Sequence, residues 1–532
     1  MPTLEFEKQT LLKITKLSEE ELSEAIANLK GEVKQNGERM LVELTPERDD
    51  LFTLYGLGRA IRNLTSSPKP LKLEMNKSNF VIKAQGKLRP FVKSFIAKNI
   101  SIDEQELKAL MNDQENIHKT IGKDRKAVAV GIHDLSKING NIIVYKDVKE
   151  GSFVPLGYSE EMKLSEVLEK TEKGKTYKSL VKDFPVYIDS SGIFSFPPIL
   201  NSERTRVTTL TKDLFIEMTG EEKESVERAY RILLADMLER GCKIYSVAIE
   251  KENKIEEEKI EEEKIEINQK RLKEINKTLG LKLSSEEVFS LLERMGYRRE
   301  KNLVIVPFYR GDILHFLDLI EDIAIAYGYK NLKPEIPEIP TFGKLNEITV
   351  LEKKLLNVML GNAFQEVKTL GLSSKEEQKL IKEEGIVEIE NPISNEFSCY
   401  RISLIPSLLK FLSKNKHRRY PQKIFELGYV AEFKNNSYIS KRNLCALISA
   451  EKASIEEAIS VLKSLEKALG IKIKLEEFDS KIFIKGRSAR IVDENGKEIG
   501  IVGEIPPEVL NFFELELPVV GFEITYKEFE PL

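Results

Sequence analysis

Two groups of polar residues in this sequence have the types and spacing to do chemistry. The first is Asp312, Asp318, Glu321 and Asp322, within the stretch VIVPFYRGDILHFLDLIEDIAIAYGYKNLKPEIPEIP from Val304 to Pro340. Lys and Arg are absent from Gly311 to Tyr329, so nothing nearby in sequence neutralises these carboxylates. Such a group suits a hard cation such as Mg²⁺, which takes one or two carboxylates and fills its other positions with water or partner oxygens. It suits equally a solvated acidic face near a helix N-terminus, where the macrodipole favours negative charge, and spacing alone leaves both readings open. The second group is Asn201, Ser202 and Glu203, beside apolar Leu200, followed by Glu217 and Thr219, whose spacing puts them on one side of a strand. Polar groups clustered beside Phe196 and Ile199 suit a pocket for a small polar ligand, although Asn, Ser and Glu after Pro197-Pro198 also serve as turn and cap residues.

The elements that must position these residues follow from periodicity. Ile313, Phe316, Leu317, Ile320, Ile323, Ala324 and Tyr327 recur at helical intervals, which predicts one buried stripe with Asp318, Glu321 and Asp322 on the other side. Gly311-Asp312 is expected to supply the turn and the N-cap of that helix. For the second group, strands are predicted at Phe91 to Ile96, Ala127 to Asp134, Asn141 to Tyr145, Val186 to Asp189 and Leu214 to Gly220, with a helix from Asp103 through Asn112 and onward. His133, next to Asp134, reads as a packed or capping residue rather than a base.

Around them the chain divides by composition. Residues 1–88 hold a strand at Thr3 to Phe6, helices at Leu11 to Ile14 and after Ser18, a strand at Leu41 to Leu44, and a helix opened by Pro46 to Asp50. Residues 89–250 form a second domain, and 251–266 a charged linker or hairpin in which Ile255, Ile260 and Ile265 fit neither structural period. Two short helices, ending at Gly280 and capped by Ser284, join the acidic helix in a unit at 267–337. Beyond Pro334, Pro337 and Pro340, residues 338–532 carry a helix from Glu347 to Leu360, a strand at Phe364 to Leu370, a helix from Leu404 to Phe411, a basic cluster (Lys414, Lys416, His417, Arg418, Arg419) and a strand from Gln422.

With 532 residues the chain needs several cores. Its 83 basic and 87 acidic residues set up no global basic field, so RNA contact must come from local patches or a partner. Cys242, Cys399 and Cys445 are scattered, which argues for a reducing compartment and against a zinc or disulfide framework. No signal peptide or membrane span is evident, so a cytoplasmic protein is expected.

The segment Pro307-Phe-Tyr-Arg-Gly-Asp-Ile-Leu-His315, with Asp318 to Tyr329, resembles the B5 signature of phenylalanyl-tRNA synthetase beta subunits of the archaeal and eukaryotic type. His133-Asp134-Leu135 and Phe196 to Thr205 resemble that family's B3/B4 domain, and Met40 to Ala60 its N-terminal domain, although Glu47-Arg48-Asp49-Asp50 stands where the family more often has Asn-Arg-Pro-Asp. The resemblance implies a multidomain α+β fold with an N-terminal domain, an editing domain, a B5-like helical domain and a class II synthetase-like antiparallel catalytic-like module. It implies Mg²⁺ held by Asp312, Asp318, Glu321 and Asp322 and shared with an alpha subunit, in an assembly of two alpha and two beta chains that binds tRNA(Phe). ATP-dependent attachment of phenylalanine is then expected on the alpha subunit, and hydrolysis of Tyr-tRNA(Phe) here, at a pocket of Leu200, Asn201, Ser202, Glu203, Glu217 and Thr219. The glycines Gly486, Gly496, Gly500 and Gly503 precede no Arg suited to clamp ATP. The rival readings are a free-standing aminoacyl-tRNA deacylase and a non-catalytic RNA or protein interaction scaffold.

Overall fold

Helix boundaries in this chain follow local capping chemistry. Ser18 Oγ accepts the Glu21 N–H while Glu21 Oε2 accepts the Ser18 N–H, which starts the helix Glu19–Asn28. Ser284 and Glu287 repeat the arrangement for Ser285–Arg294, and Gly280, at φ +67°, closes Gln269–Leu279 in the left-handed conformation that glycine adopts freely. A computed structural model describes every residue except 38, 67, 253, 257–259, 340 and 530–532. Pro340 and part of the charged linker therefore lie outside the described residues.

The chain forms two compact units, Met1–Ile336 and Pro337–Leu532. In the first, Arg39–Glu43 lies between Thr3–Glu7 and Glu32–Asn36 in a small antiparallel sheet. A ten-stranded sheet follows, whose central strands are Met75–Ala84, Lys243–Lys251 and Phe91–Lys98; on one side it runs out through Asp213–Gly220 to the end strand Val128–Asp134, and on the other it ends at Leu200–Asn201. The helices Glu104–Lys119 and Lys223–Glu239 bury their apolar sides against it. A third, three-stranded sheet carries Leu303–Ile305 between Lys264–Glu266 and Arg298–Glu300.

The boundaries differ from the compositional ones. The large sheet takes Met75–Ala84 from ahead of position 88, and the linker is split. Lys254–Glu256 folds back on Ile249–Lys251, whereas Lys264–Glu266 belongs to the module that follows. Moreover, the N-terminal segment and that module share one core. Leu22, Ile26, Leu57 and Ile61 pack with Ile275, Val288, Leu292, Ile320 and Ile323. Each piece is too small to bury its own apolar face, so joining them is the economical solution.

Two helix starts also move. The helix expected from Pro46 to Asp50 begins at Leu54 under the Thr53 cap, because Arg48 forks onto Asp50 at 2.7 and 3.0 Å and holds the preceding loop. The acidic helix begins at Phe316, not after Asp312. The Asp318 carboxylate takes the N–H groups of His315 and Leu314, at 2.7 and 2.8 Å, and so places the cap at His315. Its buried side includes Leu319, Ile325 and Ala326, while Leu317 is 50% exposed.

The second unit is a seven-stranded sheet, antiparallel except where Gln365–Glu366 runs beside Gln422–Lys434. Only these two residues pair in the strand expected from Phe364 to Leu370. Helices Glu347–Gly361 and Ile455–Leu469 cover one face and Ile405–Lys414 the other. Between the faces lies a buried ion pair, Arg401 to Glu426 at 2.9 Å, with Arg401 also donating to Thr369 Oγ1 at 2.7 Å and the Tyr429 carbonyl at 2.9 Å.

Removing one partner strands the other charge in the interior, so Arg401→Ala is expected to cost about 3–5 kcal/mol, read as a lower denaturant midpoint; the volume-matched pair Arg401→Met with Glu426→Leu should cost far less. Asp49 offers a pH test. Burial, with Asp50 beside it, pushes its carboxyl up to about 7 although Arg228 stands 3.5 Å away. An unfolded aspartate ionises near about pH 4. The folded chain thus holds an extra proton between about pH 4 and 7, and this contribution to stability is lost as pH rises through that window. Asp49→Asn is expected to raise the melting temperature relative to the parent at about pH 8, with the difference closing towards about pH 4.

Candidate active site

The end strand Val128–Asp134 and its neighbour Asp213–Gly220 set Glu217 directly opposite Gly131. The hairpin strand Gly192–Phe196 brings in Ser195, and the turn after it returns through Leu200–Asn201, which pairs back onto Ser195 and Phe196. The helix Glu104–Lys119 closes another side. These elements enclose a cavity of about 350 Å³, of the size that small-molecule sites occupy. Its apolar walls include Met111, Val130, Ile132, Phe196, Leu200 and Val207.

Two hydrogen-bonded polar groups enter it. In the first, Ser195 Oγ donates to Glu217 Oε1 at 2.9 Å and lies 3.3 Å from Asn201 Oδ1, while Asn201 Nδ2 donates to the Ile132 carbonyl. Glu217 is 1% exposed, and its Oε2 has no hydrogen-bond partner among the described residues. Burial, and then the Glu217 charge, hold the neighbouring Tyr187 phenol well above its usual range, so it stays neutral. In the second group, Arg125 Nη2 and Lys173 Nζ both reach Glu115 Oε1 at 2.7 Å, beside His118. Burial lowers His118 to about 4, so the imidazole is neutral at physiological pH. Burial works against the Glu115 anion, but His118, Arg125 and Lys173 together hold its carboxyl below the usual range.

Of the six residues singled out by sequence, Leu200, Asn201 and Glu217 line this cavity. Ser202 instead donates to the Val154 carbonyl at 3.1 Å, Glu203 accepts the Gly157 N–H at 2.7 Å, and Thr219 lies beside the buried Arg89, 3.4 Å from its Nε. His133 is fully buried, with Nδ1 2.9 Å from Thr205 Oγ1 and Nε2 3.9 Å from Glu217 Oε1. Ser195, Glu115, His118 and Arg125 were not anticipated. They lie on a separate strand, helix and turn, and no sequence spacing joins them; the nearest signal was the Pro-Pro turn that follows Ser195.

The four acidic residues around the third module's helix do not converge. Arg310 forks onto Asp312, with 2.7 Å from Nε to Oδ1 and from Nη2 to Oδ2, and also contacts Asp322. Tyr297 donates to Asp322 at 2.8 Å, Asp318 caps its own helix, and Glu321 pairs with Lys30. Neutralisation thus comes from Arg310, one residue before the Lys- and Arg-free window, and from the distant Lys30, while the neutral Tyr297 phenol adds a hydrogen bond. Among the described residues, no three His, Cys, Asp or Glu side chains are grouped as a metal cage, and the four carboxylates are each engaged by neighbours within this chain.

In the second unit, Gly500 and Gly503 are packing glycines. A Cβ on Gly500 would meet the Glu523 carbonyl at 2.2 Å, and one on Gly503 the Phe483 ring at 2.6 Å. No helix among the described residues is long and apolar enough to cross a membrane.

Three family models match: the B3/4 domain at residues 125–247, the tRNA synthetase B5 domain at 269–329, and the phenylalanyl tRNA synthetase beta chain CLM domain at 332–526. The phenylalanine–tRNA ligase beta subunit of Pyrococcus horikoshii is 39% identical, over 90% of this chain and 89% of its own. That of Saccharolobus solfataricus is 36% identical over 99% and 98%. A crystal structure of an N-terminal fragment of the P. horikoshii phenylalanyl-tRNA synthetase beta subunit superposes with a TM-score of 0.57 at 34% identity, covering 61% of this chain and 99% of the fragment. Relatives that run almost end to end, with domain matches falling on the cavity-bearing sheet, the acidic helix and the C-terminal sheet in turn, mean that the chain belongs to the phenylalanine–tRNA ligase beta-subunit family.

Proposed function

We propose that this chain removes tyrosine from mischarged tRNA(Phe) in the cavity at Glu217, while an alpha subunit attaches phenylalanine to tRNA(Phe) at the expense of ATP. The observation that carries the editing reading is the buried Glu217 carboxylate on the cavity wall, whose Oε2 makes no hydrogen bond of ordinary geometry among the described residues, with the Tyr187 phenol beside it. A phenol can donate to it and a plain benzyl group cannot. Discrimination by a buried hydrogen-bonding group is far stronger than discrimination by fit alone.

The chemistry asks little more of the protein. Water adds to the ester carbonyl, the bond to the ribose oxygen breaks, that oxygen takes a proton, and tyrosine leaves with its carboxyl group. The Ser195 hydroxyl is given to Glu217, so the reading has no serine–histidine nucleophile. It relies on holding the ester beside an ordered water and the tRNA's own hydroxyl, where positioning supplies much of the acceleration.

The C-terminal unit is proposed to be a class II synthetase-like module without catalysis. Its largely antiparallel sheet supports that reading, and Gly500 and Gly503 are spent on close packing against Glu523 and Phe483. The assembly is proposed to hold two alpha and two beta chains in the cytoplasm. Mg²⁺ belongs to the same proposal: Asp312, Asp318, Glu321 and Asp322 would bind it only with ligands from the alpha subunit, since within this chain they are already spent, and no step of the hydrolysis runs through it.

Glu217→Gln keeps the shape but turns an acceptor towards donor character. It is expected to slow hydrolysis of Tyr-tRNA(Phe) by about tenfold or more, measured as release of labelled tyrosine; an unchanged rate would sink the editing reading. Charging with phenylalanine should require the alpha subunit. Mg²⁺ should raise the melting temperature of the mixture and leave that of the chain alone unmoved, a difference that Asp322→Asn should abolish. Deacylation that is as fast without the alpha subunit, with no charging in the mixture, would favour a free-standing hydrolase.

A further inference from the structure

We infer that Gly131 is a positioning residue: the absence of its side chain lets Glu217 keep its carboxylate against Ser195 and beside His133, and so sets the cavity's ability to tell a phenol from a benzyl group. The inference rests on the editing reading above. Gly131 and Glu217 are direct cross-strand partners, and side chains so paired project from the same face of the sheet. A Cβ on Gly131 would lie 2.3 Å from Glu217 Oε1, 2.9 Å from Glu217 Cδ and 2.9 Å from His133 Nε2. All three are shorter than any ordinary carbon contact, so a methyl group there must displace one of the two side chains.

Neither has an easy retreat. Glu217 Oε1 accepts from Ser195 Oγ at 2.9 Å, and His133 Nδ1 is fixed to Thr205 Oγ1 at 2.9 Å. The imidazole also stands edge-on to the Phe194 ring, with centroids 5.1 Å apart, and Phe215 lies 6.3 Å away. The backbone does not require glycine at this point: Gly131 is in regular strand, outside the positive-φ glycines. An alanine would therefore act through the side chains across the sheet and not through strand geometry.

The test is hydrolysis of Tyr-tRNA(Phe) by the assembled alpha and beta subunits carrying Gly131→Ala, Glu217→Gln, Glu217→Asp, or Gly131→Ala with Glu217→Asp. Gly131→Ala is expected to lower kcat/KM by about tenfold or more, with the melting temperature little changed. Aspartate is one methylene shorter and returns the space that the new methyl takes. The double variant should therefore be faster than the product of the two single losses, which is the signature of direct coupling. Losses that simply multiply would mean a diffuse structural effect and would overturn the inference, as would a wild-type rate in Gly131→Ala while Glu217→Gln is slow. A wild-type rate in Glu217→Gln would instead remove the editing reading beneath it. Should Gly131→Ala not fold, a folded and active double variant supports the inference, and a double variant that is also unfolded overturns it.

Discussion

The guanidinium of Arg240 reaches Glu106 at 2.6 Å and Asp113 at 2.8 Å and lies 3.6 Å from Asp236, with Asp113 and Asp236 buried and the Glu106 side chain partly exposed. It ties the end of the helix Lys223–Glu239 to the helix Glu104–Lys119. The carboxylates it holds then turn to the N-terminal segment, where Asp113 accepts the Leu54 N–H at 2.7 Å and Asp236 the Thr53 hydroxyl at 2.9 Å. One buried cation thereby fixes the start of the helix Leu54–Thr65, which in turn contributes Leu57 and Ile61 to the core shared with the third module. Burying so many charges is expensive, and the geometry has to be good for their attraction to offset it. Desolvation and the nearby Asp113 leave Asp236 with its carboxyl pushed up to about 7, so this cluster is held together under tension.

Arg310 plays a related part at the acidic helix. It satisfies Asp312 and Asp322 at once and leaves Asp318 to cap and Glu321 to pair at the surface. The cavity follows the opposite rule: Glu217 keeps one oxygen without a hydrogen-bond partner among the described residues. A fully satisfied carboxylate stabilises a fold, whereas one left half satisfied in a buried pocket is available to a ligand, at a standing cost in stability.

What could be read from the sequence was whatever depends on near neighbours. The capping boxes at Ser18 and Ser284, the stop at Gly280 and the strands around His133 and Glu217 all stand where local pattern puts them. Partners far apart in sequence could not be read. Lys30 meets Glu321 and Tyr297 donates to Asp322 only once the fold exists, so carboxylates that look unpartnered in one dimension are partnered in three. Thr219 is instructive in another way. Strand alternation puts it on the same side as Glu217, but two residues carry it roughly 6–7 Å along the strand, where Arg89 is waiting instead of the cavity. Alternation fixes a face and says nothing about how far along that face a pocket extends.

The core common to the N-terminal helices and the third module also bears on how the chain is made. Leu64 and Ile265, both members of it, are separated by some 200 residues, all of them in the intervening sheet domain and its flanks. At a synthesis rate of about 5–20 residues per second, the apolar faces of the first helices leave the ribosome roughly 10–40 s before their natural cover. In that interval they are the part of the nascent chain most in need of a chaperone, and the intervening sheet, able to fold first, determines where the late-arriving module must dock.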